Sequence, residues 1–226
     1  MKIIVLADIH GDLDGVKKVK EFMKENEIET VIILGDFPPY NIFRDKEASL
    51  KFAKEILSEL SSFRVFAIPG NCDPREIVDL LSSMGVNLHN KKEELNGVEI
   101  VGYGGSSITP FSTPFEMEED ELYINLKSLV QKVKSEKWIL ALHTPPYNTK
   151  CDIIKDGSHK GSKAVRKIIE EFQPSVALCS HIHESCGKLD KIKESVVANI
   201  GPLFNGRVGI LTIENKNIDI ELKKIF

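Results

Sequence analysis

The chain has 226 residues, of which 42% are hydrophobic, and this supports either one large domain with a substantial core or two small ones. Because no Pro-, Gly- or Ser-rich linker and no repeat divides the sequence, we expect a single domain over residues 1–226. A formal net charge of -4 with scattered basic residues disfavours a nucleic-acid scaffold, although bound cations would leave a nuclease open.

The sequence predicts a cytoplasmic location and no membrane partner. Asp8 interrupts the first apolar run too early for a secretory signal, and no apolar stretch is long enough to span a bilayer. The four cysteines form no CxxC pair, which suits a reducing compartment and argues against a disulfide framework. The oligomeric state is not encoded in any recognisable pattern.

The first predicted element is a strand over residues 3–7, which is followed at once by Asp8 and His10. Five apolar residues without helical periodicity indicate a strand that is buried on both faces. Asp8 and His10 project to the same side, at the strand end where open sheets bind ligands. They offer half of a divalent-metal shell, although a salt-bridged Asp or a strand-end His is the commoner explanation for such a pair alone.

The same arrangement recurs after two more predicted strands. Residues 30–34 form an apolar run that ends before Asp36, and residues 63–68 form another that ends before Asn71 and Cys72. Each polar group again comes directly after a buried strand, so the carboxyl ends of neighbouring strands would bring them together.

Helices and hairpins are predicted between and after these strands. Apolar residues at helical spacing predict helices near residues 13–26, 46–60, 75–84, 120–134 and 161–172. Asn96-Gly97 predicts a two-residue hairpin turn, which gives the fold an antiparallel component. Residues 195–200 and 208–226 are rich in Ile and Val, and we expect consecutive strands there that finish a second sheet.

Two further predicted strands, residues 138–142 and 176–179, lead directly to histidines: His143, His181 and His183. The remaining histidines, His89 and His159, follow no apolar run and are expected to be surface loop residues.

The strand ends together present seven potential metal ligands: Asp8, His10, Asp36, Asn71, His143, His181 and His183. Two divalent ions about 3.5 to 4 Å apart need a shared carboxylate, which we assign to Asp36. Imidazole and oxygen ligands without thiolates favour Mn, Fe, Zn, Ni or Co over Ca or Mg. The expected cofactor is therefore a pair of divalent transition-metal ions, with Asn71 contributing its carbonyl oxygen.

The order Asp-x-His, Gly-Asp, Gly-Asn-x-Asp, His and x-His-x-His resembles the calcineurin-like metallophosphoesterase family over nearly the whole chain. The resemblance implies an α/β fold, a four-layer α-β-β-α sandwich of two mixed sheets flanked by helices. It also implies a division of the ligands into a first set, Asp8, His10, Asp36 and His183, and a second set, Asp36, Asn71, His143 and His181.

The sequence departs from the family pattern at two positions. Ser180 stands where a Gly usually precedes the final His-x-His, and Cys72 follows Asn71 where the family usually has a His that assists the leaving oxygen. A Cys at this position resembles the phosphodiesterase-type branch. Asn71 and Cys72 are therefore the candidate catalytic residues, and for Cys72 a proton donor and a buried space-filler remain equally open.

The resemblance implies hydrolysis of small-molecule phosphodiesters by a hydroxide that bridges the two ions. One alternative is a phosphomonoesterase with the same ions. Others are a nuclease, which would need a basic groove that the sequence lacks, and a protein-binding scaffold without metals, against which the intact ligand set argues. Specificity is expected in the loops of residues 104–117 and 147–160, and no substrate-binding residue is assigned.

Overall fold

The computed structural model describes residues 1–226, and its first β-sheet is built around the N-terminal strand. The strands of this sheet are β1 (Lys2–Leu6), β2 (Thr30–Ile33), β3 (Arg64–Ala67), β12 (Arg207–Glu214) and β13 (Asn217–Lys224). Their order is β13-β12-β1-β2-β3. β1, β2 and β3 are parallel to one another, β12 pairs antiparallel with β1, and β13 pairs antiparallel with β12.

A second large sheet contains six strands. They are β4 (Lys91–Leu95), β5 (Val98–Tyr103), β8 (Trp138–Leu142), β9 (Val176–Cys179), β10 (Lys188–Ile192) and β11 (Ser195–Asn199). The order is β10-β11-β9-β8-β5-β4, with a parallel centre and an antiparallel strand at each edge. Two short strands, β6 (Ser106–Ser107) and β7 (Glu116–Met117), pair with each other outside these sheets.

Five helices cover the outer faces of the two sheets. They are α1 (Leu13–Glu25), α2 (Lys46–Glu59), α3 (Ile77–Ser83), α4 (Glu119–Val130) and α5 (Lys163–Phe172). Three of them start at a side-chain cap, because Asp12, Asp45 and Ser162 each accept a hydrogen bond from a first-turn backbone N–H. None of these helices has both the length and the apolar character that crossing a membrane requires.

The apolar strands divide their side chains between two layers of core. In β1, Ile3 and Val5 point into the core between the two sheets, whereas Ile4 and Leu6 pack against α1 and its neighbours. The second sheet has a matching outer core with α4 and α5, which includes Leu126 and Ile168. The layers are therefore helix, sheet, sheet and helix, which confirms the predicted four-layer α-β-β-α fold.

The predicted hairpin is present, but the C-terminal strands divide differently from our expectation. Asn96 and Gly97 have φ angles of 51° and 77° and join β4 to β5. β11 belongs to the second sheet as expected, whereas β12 and β13 complete the first sheet, so the prediction that all C-terminal strands finish a second sheet is wrong. β12 covers the otherwise open edge of β1, which would leave unpaired backbone groups exposed.

The carboxyl ends of the parallel strands are joined to one another by backbone hydrogen bonds. In the first sheet, the Asp8 N–H donates to the Gly35 carbonyl at 3.1 Å. In the second sheet, the Ser180 N–H donates to the His143 carbonyl at 2.9 Å. The two pairs of loops lie along one edge of the sandwich, and this edge carries the predicted ligands.

Candidate metal centre

The structure brings the seven predicted ligands together at this edge, and we call the set the ligand edge: Asp8, His10, Asp36, Asn71, His143, His181 and His183. Four of them have left-handed backbone conformations, with φ angles of 45° at Asp8, 44° at His10, 57° at Asp36 and 66° at His181. Non-glycine residues adopt this conformation at an energetic cost, and such residues cluster at functional sites.

One group of ligand atoms forms around Asp8, which is fully buried. Donor atoms of Asp8, His10 and His183 all lie within 4.8 Å of one another. The Nε2 atom of His183 is 3.3 Å from Asp8 Oδ2. The hydroxyl of Ser180 donates to the same carboxylate oxygen, so the Ser that replaces the usual Gly makes a direct contact with a ligand.

A second group forms around Asp36, which lies between two imidazoles. Asp36 Oδ2 is 3.6 Å from Nε2 of both His10 and His143, the arrangement that a shared carboxylate requires. Asp8 also belongs to this group, because Asp8 Oδ1 is 3.9 Å from Nδ1 of His143. The ring of His181 packs edge-on against that of His143, with ring centroids 5.1 Å apart.

Backbone carbonyls fix the hydrogen positions of two ligand imidazoles. Nδ1 of His10 contacts the Pro38 carbonyl at 3.3 Å, and Nδ1 of His143 contacts the Leu34 carbonyl at 2.7 Å. A carbonyl oxygen only accepts, so Nδ1 carries the hydrogen in both rings. Each Nε2 atom therefore directs a lone pair towards Asp36.

The amide of Asn71 is oriented by a chain of side chains that the sequence did not indicate. Thr113 donates its hydroxyl hydrogen to the carboxylate of Glu116, so the Thr113 oxygen accepts from Asn71 Nδ2 at 2.9 Å. Asn71 Oδ1 then faces His143 Nε2 at 2.8 Å. Neither of these atoms has a hydrogen to share, which is the arrangement of two ligands of one cation.

The Asp73 side chain connects the loops that carry Asp36 and Asn71, a role that the sequence did not indicate. Its buried carboxylate accepts from the N–H groups of Asp36 at 2.8 Å, Phe37 at 3.1 Å and Gly70 at 2.7 Å. Burial and the charge of Asp36 raise the pKa of Asp73 well above its usual value. Its spacing of three residues after Gly70 was the available signal, because Asp commonly closes such turns.

Gly35 and Gly70 allow these loops to approach each other closely. A Cβ atom on Gly70 would lie 2.1 Å from Asp36 Oδ1, and one on Gly35 would lie 1.9 Å from the backbone nitrogen of Gly70. With both residues free of side chains, the Cys72 N–H reaches Asp36 Oδ1 at 2.8 Å. One backbone N–H therefore holds Oδ1 of Asp36, while Oδ2 faces the imidazoles of His10 and His143.

Burial and charge oppose each other in setting the pKa values at this edge. Burial alone would raise the pKa of Asp8, but the surrounding imidazoles of His183, His143 and His10 hold it below its usual range. Burial alone would lower the pKa of His183, but Asp8 outweighs it and the pKa is raised. Burial and the neighbouring His143 lower the pKa of His181 to about 4.

The ligand edge fits the expected divalent ions. Asp8 Oδ1 and His10 Nε2 are buried and have no hydrogen-bond partner, although buried polar atoms are normally paired. They lie beside further lone pairs from Asp36, Asn71 and His143, and cations satisfy such a set. The donors are imidazole and oxygen without a thiolate ligand, which suits transition metals.

Two histidines outside this edge differ from their predicted surroundings. His89 is not a surface loop residue: it is mostly buried beside Tyr103 and Phe115, and its Nδ1 accepts from the Gly104 N–H at 2.9 Å. His159 is also partly buried, because it pairs with Asp152 at 2.7 Å. Neither ring had an apolar run before it, and their partners are distant in sequence or lie within a loop.

A pocket of about 520 Å³ opens onto the ligand edge. Its lining includes the ligands His10, Asp36 and Asn71, together with side chains from the loops that carry Tyr40 and Phe111. The ring of Tyr40 stacks on that of His10 with centroids 3.8 Å apart, and the Tyr40 hydroxyl lies 3.2 Å from Nδ1 of His183. The volume lies within the range of pockets that bind small molecules.

Two known proteins resemble this chain in sequence. The uncharacterized protein MJ1162 of Methanocaldococcus jannaschii is 39% identical over 210 residues, which cover 89% of this chain and 88% of that protein. Phosphodiesterase YfcE of Escherichia coli K12 is 36% identical over 76 residues, which cover 32% of this chain and 40% of YfcE.

Similarity in fold extends further than similarity in sequence. The crystal structure of TT1561 of Thermus thermophilus aligns with a TM-score of 0.72 at 20% identity, and the alignment covers 97% of each chain. The model of one family, described as calcineurin-like phosphoesterase, matches residues 1–185. That match spans most of the sequence and includes every residue of the ligand edge, so the chain belongs to the calcineurin-like phosphoesterase family.

Proposed function

We propose that the protein is a metal-dependent phosphodiesterase that acts on small molecules with two divalent transition-metal ions. The first ion would be held by Asp8, His10, Asp36 and His183, and the second by Asp36, Asn71, His143 and His181. The observation that carries this proposal is the convergence of buried, unpartnered ligand atoms, of which Asp8 Oδ1 and His10 Nε2 are the clearest.

The protein side chains would keep the ligand atoms in place before ions and substrate arrive. When bound, such ions lower the pKa of water towards neutrality and neutralise charge on phosphoryl oxygens. The Pro38 and Leu34 carbonyls keep Nε2 of His10 and His143 free to bind, and Thr113 turns the Asn71 oxygen inward. Contacts of this kind around metal ligands support both affinity and activity.

Two observations support a preference for diesters. The third motif carries Cys72 where a His would assist a poor leaving group, and the matched segment of YfcE belongs to a protein described as a phosphodiesterase. In this proposal Asn71 binds metal, whereas Cys72 contributes its backbone N–H to Asp36 and packs its Sγ atom 3.7 Å from Asn71 Nδ2. The thiol then has no chemical step of its own.

The proposal is tested by hydrolysis assays with defined metals. Purified protein is stripped of metal, loaded separately with Mn, Ni, Zn, Fe or Co, and assayed with bis-p-nitrophenyl phosphate and p-nitrophenyl phosphate. We expect a higher kcat/KM for the diester, with Mn the first ion to try, and no activity in Asp36→Asn. A higher kcat/KM for the monoester would establish a phosphomonoesterase instead. Absence of both metal binding and hydrolysis would favour a scaffold.

The remaining expectations extend this proposal to the whole chain. We propose that residues 1–226 fold as one domain, because both large sheets contribute to one shared core that includes Val5 and Ile139. All four cysteines are unpaired, which supports a cytoplasmic location.

A further inference from the structure

Exposed aromatic side chains gather beside the ligand edge. Tyr40 is 52% exposed, Phe111 is 68% exposed and Phe204 is 48% exposed. Tyr40 and Phe111 line the same pocket as the ligands, and the Phe204 ring lies 5.9 Å from that of His183 and 6.4 Å from that of His10. Water-exposed rings that share a concave pocket with polar groups are a typical feature of ligand sites.

Both backbone polar groups of Phe111 are hydrogen-bonded to side chains. The Phe111 N–H donates to the Thr109 hydroxyl at 3.1 Å, and the Phe111 carbonyl accepts from Arg44 Nη2 at 3.0 Å. Thr109 in turn donates to Glu116 at 2.5 Å. The ring is therefore presented to solvent by an ordered backbone, which reduces the entropic cost of binding a ligand there.

Arg44 connects the Phe111 loop to the loop that carries Tyr40 and Phe43. Its guanidinium lies 5.2 Å from the centroid of the Phe43 ring while it donates to the Phe111 carbonyl. Tyr40, Phe43 and Phe111 thus form the aromatic wall, which lines the same pocket as the ligands and contacts them through Tyr40. Arg44 is the only Lys or Arg that lines this pocket, so the wall is suited to an apolar ring rather than to a polyanion.

A phosphoryl group at the metal ions would leave most of the pocket vacant. The volume of about 520 Å³ is that of a site for a drug-sized molecule, whereas a phosphoryl group is far smaller. The part of the substrate beyond its phosphorus must then lie against the aromatic wall. Planar rings stack on aromatic side chains more favourably than aliphatic groups do.

We propose that the aromatic wall is a substrate subsite that stacks a planar aromatic ester group, such as an aryl group or a nucleobase-bearing group, of a phosphodiester bound at the ligand edge. This inference rests on the proposed function and names its substrate class. Phe111 is the best probe of the subsite, because its ring is the most exposed of the three, whereas Tyr40 stacks on the ligand His10.

Binding of diesters that lack the activated p-nitrophenyl leaving group, measured on the Mn-loaded protein before any of them is hydrolysed, tests the subsite separately from turnover. Isothermal titration with diphenyl, dibutyl and dimethyl phosphate should give Kd values at least about fivefold lower for diphenyl than for either alkyl diester. Phe111→Ala should remove most of that difference, and Phe111→Leu should reduce it. Ile124→Ala, which truncates a side chain that is 64% exposed on α4, is the matched control and should change nothing.

A catalytic comparison separates this inference from the proposed function. Bis-p-nitrophenyl and methyl p-nitrophenyl phosphate release the same group and differ only in their second ester. Wild type should prefer the former in kcat/KM, Phe111→Ala should lose most of that preference, and Ile124→Ala should keep both the preference and the activity of wild type. Hydrolysis without any such preference would overturn the inference alone, as would equal Kd values for diphenyl and dibutyl phosphate. Ring-dependent binding without hydrolysis would overturn the proposed phosphodiesterase and leave the subsite standing.

Discussion

The two sides of the pocket are built in opposite ways. The ligand edge consists of mostly buried side chains at the ends of parallel strands, four of them in left-handed backbone and several held by backbone groups. The aromatic wall consists of exposed rings on two loops that are joined through Arg44. In the proposed function, the sandwich would therefore fix the chemistry, while the loops would determine which ester can reach it.

The largest expected effect comes from removing the shared carboxylate of the ligand edge. Asp36→Asn should lower kcat/KM for bis-p-nitrophenyl phosphate by more than about 100-fold, because losing a partner of a ligand already costs about 10- to 100-fold. Elemental analysis should find fewer than two ions per chain.

The control for this change is Asp45→Asn, which alters the same charge at the exposed N-cap of α2 and should keep full activity. If Asp36→Asn retained both bound ions and wild-type turnover, the ligand edge would lose its assigned function, and the contrast between the two sides would lose its basis.

The second prediction concerns pH and the support of the aromatic wall. Burial, with repulsion from Arg75, lowers the pKa of His89 to about 4, whereas an unfolded His titrates near 6.5. His89 is therefore neutral in the folded state and accepts from the Gly104 N–H, at the start of the segment that leads to Phe111. Its contribution to stability is complete above pH about 6.5 and is lost as pH falls to about 4.

The difference amounts to about 3 kcal/mol of unfolding free energy across that window, at about 1.4 kcal/mol per pKa unit. Urea denaturation of metal-free wild type and His89→Gln should give curves of stability against pH that run together above pH about 6.5 and separate as pH falls to about 4. Wild type should lose more stability over that window, since Gln accepts the same hydrogen bond without titrating. Because the ligand histidines are common to both proteins, their titration cancels in the comparison. Parallel curves would contradict the assignment to His89.

The convergence of the residues of the ligand edge could be predicted from the sequence, because each of them follows an apolar run. Asp8, Asp36 and His143 could be aligned by this rule, since parallel strands that end at one edge bring such residues together. The four-layer fold class followed from the resemblance of the ordered motifs to the calcineurin-like metallophosphoesterase family. The placement of β12 beside β1 did not, because periodicity identifies a strand but not the sheet edge on which it lies.

The supporting residues and the aromatic wall could not be predicted in the same way. Asp73 accepts from backbone groups on other loops, and Thr113 bonds to a side chain 42 positions away, so neither contact has a local pattern. Phe111 and Tyr40 occur in loops whose sequence permits many conformations. Their proximity depends on how the two loops fold against each other, which the local sequence does not determine.

The third prediction tests whether the two sides are physically connected. Thr113 lies in the loop segment that also holds Phe111, yet its hydroxyl orients the Asn71 amide on the ligand edge. Thr113→Val should weaken the binding of one Mn ion by about tenfold, as expected for a partner of a metal ligand. Activity should fall at limiting Mn and recover at saturating Mn.

Thr109→Val is the matched control, because Thr109 also donates to Glu116 but does not contact Asn71. Calorimetric titration with Mn should leave its two binding constants unchanged. Equal losses of affinity in both variants would show that Glu116 supports the loop in general and that the Asn71 amide needs no specific orientation.

The smallest expected effect is that of the Cys72 side chain, which lies where the two sides meet. Its backbone N–H holds Asp36, and a substitution leaves this contact intact. The Sγ atom is buried, and burial together with the charges of Asp36 and Asp73 raises the pKa of the thiol. Cys72→Ser keeps the size of the side chain nearly unchanged and should alter kcat by less than about threefold, which is below the gain of about 100-fold or more that general acid catalysis typically provides.

The decisive substrate is an alkyl diester, whose leaving alkoxide needs a proton, whereas p-nitrophenolate leaves without one. A large loss of activity on the alkyl diester with normal turnover of bis-p-nitrophenyl phosphate would make Cys72 a proton donor. The residues that act in the reaction would then extend beyond the ligand edge.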